Sequence, residues 1–347
     1  MYFQTRILFV SFIATVVLSI FLIPVLRRLK IGQTERTDGP KSHFKKEGTP
    51  TMGGIIIALG IIIGTIGGYI YYFAKEPYVG QRIFPLILIT VGFGIIGFID
   101  DFKKLVLKDT KGLKPRYKMV GLLIIAVAYI IYMIKIAGIG TETFIPFVKQ
   151  YIDIPIYLYI PFAIFVMLAT TNAINLTDGI DGLSTSIAAI IATCLTVIAI
   201  ILDVKEIIVF GSIIVGACLG FLIFNLNKAK VFMGDTGSLL LGGVISTMAL
   251  YLKMPLLLLV IALIPAVETA SVFLQVIYFK KTGGKRLFKM APLHHHFELS
   301  GWRENKIVSI FCIFTLILCV IRIILNMRKE REEIWQRKLK RKLKQKI

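Results

Sequence analysis

Four short stretches of this chain place ionisable and amide side chains at the ends of long apolar runs, where such groups are expensive near lipid and mark a working site by default. The first is GFIDDFKK, with Asp100 and Asp101 side by side where an apolar run stops. A helix C-terminus carries partial negative charge, so two adjacent carboxylates there repel it and each other. A cation has to compensate. Lys103 and Lys104 can do so, which makes the pair structural; a divalent metal or a transferable proton makes it catalytic, and the double repulsion favours that second reading.

The second stretch, NAINLTDGIDGL, sets Asn172, Asn175, Asp178 and Asp181 three residues apart. Three residues turn an α-helix by about 300° and a 3₁₀ turn by a full circle, so neighbours in this comb stay close. Gly179 and Gly182 let the backbone turn near a ligand. An Asx-rich turn capping the next helix is the plainer alternative, but four side chains in one register exceed what a cap needs. The third stretch, NLNKAKVFMGDTGSLLLGG, surrounds Asp235 with Gly234, Thr236, Gly237 and Ser238 just ahead of an apolar helix. That pattern offers free amide hydrogens to phosphate, although Asp235 could simply be an N-cap, and it is not a Walker motif.

The fourth, APLHHHFEL, carries His294, His295 and His296 in succession. Consecutive side chains diverge, so a shared zinc is the weaker reading and hydrogen bonding of one or two histidines to a phosphorylated ligand the stronger. A solvated basic loop is the alternative. The inventory is carboxylates, amides, glycine turns and basic side chains, with no thiolate ligand and no serine-hydrolase elbow. Oxygen-rich sites of this kind suit Mg²⁺, which keeps waters and substrate phosphates among its ligands. The chemistry implied is transfer of a phosphoryl-linked group at the cytoplasmic face of a membrane, by positioning and charge neutralisation.

The elements that must hold these stretches are membrane helices. Of 347 residues 56% are apolar and only 18% charged, which excludes an ordinary multi-domain soluble protein. Runs such as Ile7 to Val25 and Ile307 to Ile324 are long enough, at about 1.5 Å per residue, to cross roughly 30 Å of hydrocarbon. The expected fold is all-α and polytopic, with about ten spans: 6–26, 52–73, 83–99, 119–139, 156–171, 184–202, 207–224, 238–251, 254–279 and 306–325. A single integral-membrane domain is expected over 1–325, followed by a basic tail over 326–347.

Basic residues set the orientation, since Lys and Arg stay on the cytoplasmic side. The segments 27–51, 100–118 and 280–305 hold seven, seven and six of them, against two in 74–82 and one each in 203–206 and 252–253, so odd-numbered spans should exit into the cytoplasm. The first span carries its basic cluster on its C-terminal side and no cleavage signature, so it should stay attached with its N-terminus outside. All four polar stretches then fall on the cytoplasmic face. The tail alone disagrees, with ten Lys and Arg on the outer side; it could lie on anionic lipid as an amphipathic helix.

The net charge of +21, crowded into loops, favours anionic headgroups or phosphorylated substrates over nucleic acid, because no soluble basic domain or aromatic-studded stripe is present. Cys194, Cys218, Cys312 and Cys319 lie in apolar segments without metal spacing and read as buried thiols.

Together KKEGTPTMGG (Lys45 to Gly54), GFIDDFKK, DTKGLKPRYK (Asp109 to Lys118), NAINLTDGIDGL, FMGDTGSL and APLHHHFEL resemble the phospho-MurNAc-pentapeptide translocase (MraY) family of polyprenyl-phosphate N-acetylhexosamine-1-phosphate transferases. The aspartate motifs are shared across that superfamily, whereas the triple histidine points to this one family. The resemblance implies a ten-helix enzyme of the bacterial inner membrane, a homodimer with both termini outside and a cytoplasmic active site. It implies transfer of phospho-MurNAc-pentapeptide from UDP-MurNAc-pentapeptide to undecaprenyl phosphate, giving lipid I and UMP for peptidoglycan synthesis, with Mg²⁺ as cofactor.

Carried onto matching positions, the resemblance makes Asp235 the metal ligand, Asp100 the group that deprotonates or orients the lipid phosphate, and Asp101 its support. Asn172, Asn175, Asp178 and Asn225 would shape the nucleotide and pyrophosphate site, and Gly179, Asp181 and Phe232 would hold the uracil. Lys46, Thr51 and Lys118 would reach the substrate from neighbouring loops, and His294 and His295 the sugar or phosphate side. Two rivals remain at this point: a related enzyme using UDP-GlcNAc, and a secondary transporter. Glu268, inside the ninth span, fits a transporter better, or is a satisfied helix contact.

Overall fold

The structure, a computed structural model, describes residues 3–29, 48–107, 109, 112–146, 148 and 150–344, with side chains through Leu325. Lys46 lies outside the described residues. The chain runs α1 (Phe3–Arg28), α2 (Gly54–Lys75), α3 (Pro77–Leu105) and α4 (Pro115–Ile131), the last extended by a wider turn through Ile136. A hairpin follows, β1 (Glu142–Ile145) antiparallel to β2 (Gln150–Asp153), with Glu142 opposite Asp153. Then come α5 (Ile156–Thr177), α6 (Leu183–Ile201), α7 (Lys205–Asn225), α8 (Gly234–Tyr251), α9 (Leu258–Ile261), α10 (Leu263–Lys281), α11 (Leu293–Glu298) and α12 (Glu304–Lys344). The protein is an all-α polytopic membrane protein whose only described strands are that hairpin.

Among the described residues nine helices are long and apolar enough to cross a membrane; α8 is the tenth long helix expected and falls short on apolarity. Its sequence, GDTGSLLLGGVISTMALY, is rich in glycine, serine and threonine, and it is buried from Thr236 to Tyr251. A helix ringed by other helices needs close approach rather than lipid-facing bulk, and small residues give it. Packed around it are α2, α3, α5, α6 and α7. Gly97 of α3 lies so close to the Asp235 carbonyl that any Cβ would collide with it, and Gly242 of α8 meets the Thr171 backbone of α5 in the same way. The first contact holds the C-terminal part of α3 against the N-terminus of α8, and the second holds the middle of α8 against α5.

Several helix limits differ from the apolar runs. Helix α3 continues to Leu105, so Asp100 and Asp101 sit inside it, a turn before its end, and not at its terminal carbonyls. Helix α5 continues to Thr177, so Asn172 and Asn175 are helical while Asp178 and Asp181 lie in the turn before α6. The expected ninth span is broken at Ala262 into α9 and α10. Pro265 has no N–H to give the Ile261 carbonyl, so α9 cannot run on through it. Helix α12 keeps its helical backbone to Lys344, beyond its apolar part, which ends at Leu325. Cys194, Cys218 and Cys319 are buried and Cys312 half-buried, all as free thiols.

Candidate active site

The C-terminal parts of α3 and α5, the start of α4, the N-terminus of α8 and the short α11 meet at one end of the bundle. At its centre two carboxylates share two ammonium groups. Lys104 Nζ donates to Asp100 Oδ2 and Asp235 Oδ2, both at 2.9 Å, and Lys118 Nζ donates to the same two oxygens at 3.3 and 3.0 Å. Asp100 Oδ1 accepts the Leu113 N–H at 2.6 Å, a bond that the turn at Gly112 makes possible with φ +62. Asn175 Nδ2 donates to Asp235 Oδ1 and to Ser238 Oγ, both at 2.8 Å.

Asp101, adjacent in sequence, does something different. Its carboxylate accepts the N–H groups of Asp235 (3.1 Å) and Thr236 (2.9 Å) and the Thr236 hydroxyl (2.6 Å). It therefore caps α8 from another helix, and a negative group at the positive end of α8 is favourable. Two readings are corrected by this. Asp235 is not an N-cap, since its side chain faces the lysines; and two amides of the GDTGS turn are not open to phosphate, since they donate to Asp101.

The comb splits by role. Asp178, just past α5, lies beside Asp235, Asp101 and Asp181; burial first and then these like charges push its carboxyl well above the usual range, against the Gly234 amide. Asp181 accepts the Ala229 N–H at 3.0 Å. Buried Asn225 accepts the Thr185 hydroxyl and donates to the Val231 carbonyl, both at 3.0 Å. These two brace the segment between α7 and α8, and the protein already engages them. Asn172 Nδ2 donates to the Leu168 carbonyl at 2.7 Å and meets Met119 Sδ at 3.8 Å, next to Lys118. Phe232 is fixed through its backbone to Pro50 and Gly53, with its ring half-buried, and Thr51 is buried beside Gly234.

The histidines have three different partners, as diverging side chains must. His294 is buried, with Nδ1 at 3.2 Å from Glu268 Oε2 and its backbone N–H donating to Glu268 Oε1 at 3.1 Å. Its ring lies directly against Gly179, where a Cβ would collide with Nε2. His295 Nδ1 pairs with Glu298 at 2.8 Å, and His296 Nδ1 accepts the Lys289 N–H at 3.1 Å. Lys104 and Glu268 carry more of the site than their sequence context conveyed. The i,i+4 spacing from Asp100 was the available signal for Lys104; Glu268 was conspicuous as a carboxylate inside an apolar span, but its partner, 26 positions away, had no local signal.

Among the described residues no group of three or more His, Cys, Asp or Glu side chains could hold a metal by itself. Asp100 and Asp235 nevertheless fit a hard divalent cation. Their facing oxygens come from two helices and already accommodate positive charge, and Mg²⁺ commonly takes one or two carboxylates plus substrate phosphates.

Residues 83–253 match the family model of glycosyl transferase family 4, and residues 46–57 match signature 1 of the phospho-N-acetylmuramoyl-pentapeptide-transferases. A protein of that name from Acetivibrio thermocellus is 46% identical over 313 residues, covering 90% of this chain and 92% of its own. Those from Halalkalibacterium halodurans (45% over 319 residues, 92% and 96%) and Clostridium kluyveri (48% over 300 residues, 86% and 92%) are similar to the same extent. With the resemblance running through every helix of the site, the chain belongs to the phospho-N-acetylmuramoyl-pentapeptide-transferase family.

Proposed function

We propose that this chain transfers phospho-MurNAc-pentapeptide from UDP-MurNAc-pentapeptide to undecaprenyl phosphate, at the cytoplasmic face of a bacterial inner membrane. A lipid-phosphate oxygen forms a bond to the sugar-linked phosphorus, the pyrophosphate bond to the uridine side breaks, and UMP leaves with that electron pair; lipid I is the other product. The observation that carries this reading is the Asp100–Asp235 pair with its two shared lysines. One phosphate attacking a pyrophosphate brings negative charges together at about 4 kcal/mol per pair at 4 Å and intermediate dielectric. Lys104 and Lys118 offset that repulsion, and Asp100 orients or deprotonates the lipid phosphate. Asp101 holds the start of α8, and hence Asp235, in place. Asn175 fixes the other Asp235 oxygen, and Asp178 faces the same centre from the α5 end. Asp235, with Asp100, would hold Mg²⁺, which when bound supplies charge neutralisation to the phosphates.

A site at helix ends lets a membrane-confined lipid phosphate meet a soluble nucleotide without either leaving its phase. The basic segments near 27–51, 100–118 and 280–305 support the cytoplasmic orientation. Residues 1–325 form the membrane domain, 326–347 a basic appendage, and the working unit is a homodimer. The transporter reading loses its footing, because Glu268 is taken by His294. The test is UMP release by purified protein with undecaprenyl phosphate and either UDP-MurNAc-pentapeptide or UDP-GlcNAc. Release with the first alone is expected; release with only the second would overturn the assignment.

A further inference from the structure

Four side chains with buried unpartnered polar atoms stand out from the rest of the described residues, and one of them, His294, is in the site. Its Nε2 has no hydrogen-bond partner, although the residue is fully buried. A buried ring nitrogen left unmet is costly, so its persistence calls for a positive reason to hold the ring in this place. Nε2 is aimed at Gly179, in the turn between Asp178 and Asp181, and glycine is the one residue that leaves the ring room there.

The opposite side of the ring is over-determined. Glu268 meets two groups of the same residue, accepting the His294 backbone N–H and lying 3.2 Å from the ring Nδ1, and both side chains are almost wholly buried. A carboxylate on Nδ1 keeps a proton there and so decides what Nε2 can offer. The pairing joins α10 to α11, so it also fixes where the histidine run sits relative to the turn after α5.

We propose that Glu268 is a positioning residue for the transfer: it locks the His294 imidazole with Nδ1 protonated and its Nε2 edge against Gly179, and so sets the turn from Asp178 to Asp181 that meets the nucleotide-sugar substrate. The inference rests on the transferase reading. Glu268 touches no substrate; it acts through His294.

The test is steady-state UMP release by wild type, Glu268→Ala, Glu268→Gln, His294→Ala and the Glu268→Ala/His294→Ala double variant, titrating nucleotide sugar and lipid phosphate separately. Glu268→Ala should lower kcat/KM for the nucleotide sugar by roughly 30-fold, as removal of an orienting partner does elsewhere. It should leave the KM for lipid phosphate unchanged. Glu268→Gln, whose amide oxygen still accepts both N–H groups, should recover most of that loss. The double variant should be no slower than His294→Ala alone, because the two act as a unit. Multiplying losses, a Glu268→Gln as slow as Glu268→Ala, or a Glu268→Ala at the wild-type rate would overturn the proposal. If Glu268→Ala does not fold, ¹⁵N spectra of labelled wild type decide: the His294 signals, identified by their loss in His294→Ala, should show Nδ1 protonated and Nε2 bare, and the reverse tautomer refutes the inference. A wild type that releases no UMP refutes the transferase reading instead.

Discussion

Helices α3 and α8 each carry a polar side chain of one cluster at one end and of a second cluster at the other, and the two clusters are built differently. Arg82 and Asp100 are 18 residues apart on α3, about 27 Å along a helix. At the Asp100 end the cations are lysines, point charges that share carboxylate oxygens on flexible stems. At the other end the cation is an arginine held on every side. Arg82 donates to Glu206 (3.3 Å) and to the Ala137 carbonyl (2.7 Å), and lies over the Tyr78 ring at 4.0 Å. Tyr251, at the far end of α8, donates to the same Glu206 oxygen at 2.6 Å. A cavity of about 530 Å³ opens beside it, yet its walls pair with each other, Arg82 with Glu206 and Lys253 with Glu142. A planar guanidinium with aromatic stacking fixes geometry, whereas ammonium groups can re-pair with an incoming phosphate. One cluster is a lock for helix ends, the other a centre whose cations are free to change partners.

That contrast can be broken from either end. The largest effect expected is from chelating Mg²⁺: UMP release should stop while the melting temperature without substrate stays the same, since none of the packing described depends on metal. Residual release at the original rate in chelator would remove the metal from the centre. Next is Lys118→Met, which deprives both carboxylates of a shared cation and should slow release by roughly 10- to 100-fold, in the range seen when a supporting group of a charged site is lost. Its KM for the nucleotide sugar should rise, as read in the same assay. The smallest effect on rate is expected from Glu206→Ala, within about twofold, because it is remote from the chemistry. It should instead cost about 3 kcal/mol of stability by leaving Arg82 and the Tyr251 hydroxyl without their acceptor, visible as a lower melting temperature in detergent. A stable but inactive Glu206→Ala would merge the two clusters into one functional unit.

Much of this was legible in the chain because charge at the edge of an apolar run is rare and so conspicuous. Asp100, Asp178 and Asp235, far apart in sequence, do gather at one end of the bundle, as their common side of the membrane required. What was hidden depends on partners from other elements. Apolar counting stops at Asp100, but α3 continues because Lys104, Lys118 and the Leu113 amide meet that carboxylate and α8 amides meet Asp101. The burial of α8 could not be read from its modest apolarity, since a helix shielded by five others can afford glycine and serine. The break before α10 was signalled only by Pro265, and the bond between Glu268 and His294 by nothing local.

The centre stands or falls on Asp235. Purified Asp235→Asn, given UDP-MurNAc-pentapeptide, undecaprenyl phosphate and Mg²⁺, should release UMP at least about 1,000-fold more slowly than wild type, a loss of about 4 kcal/mol in barrier stabilisation. Its melting temperature should stay near that of wild type, because Asp101 caps α8 through backbone and Thr236 groups that the substitution leaves in place. UMP release by a folded Asp235→Asn at the wild-type rate would contradict the assignment of phosphoryl transfer to this pair of carboxylates.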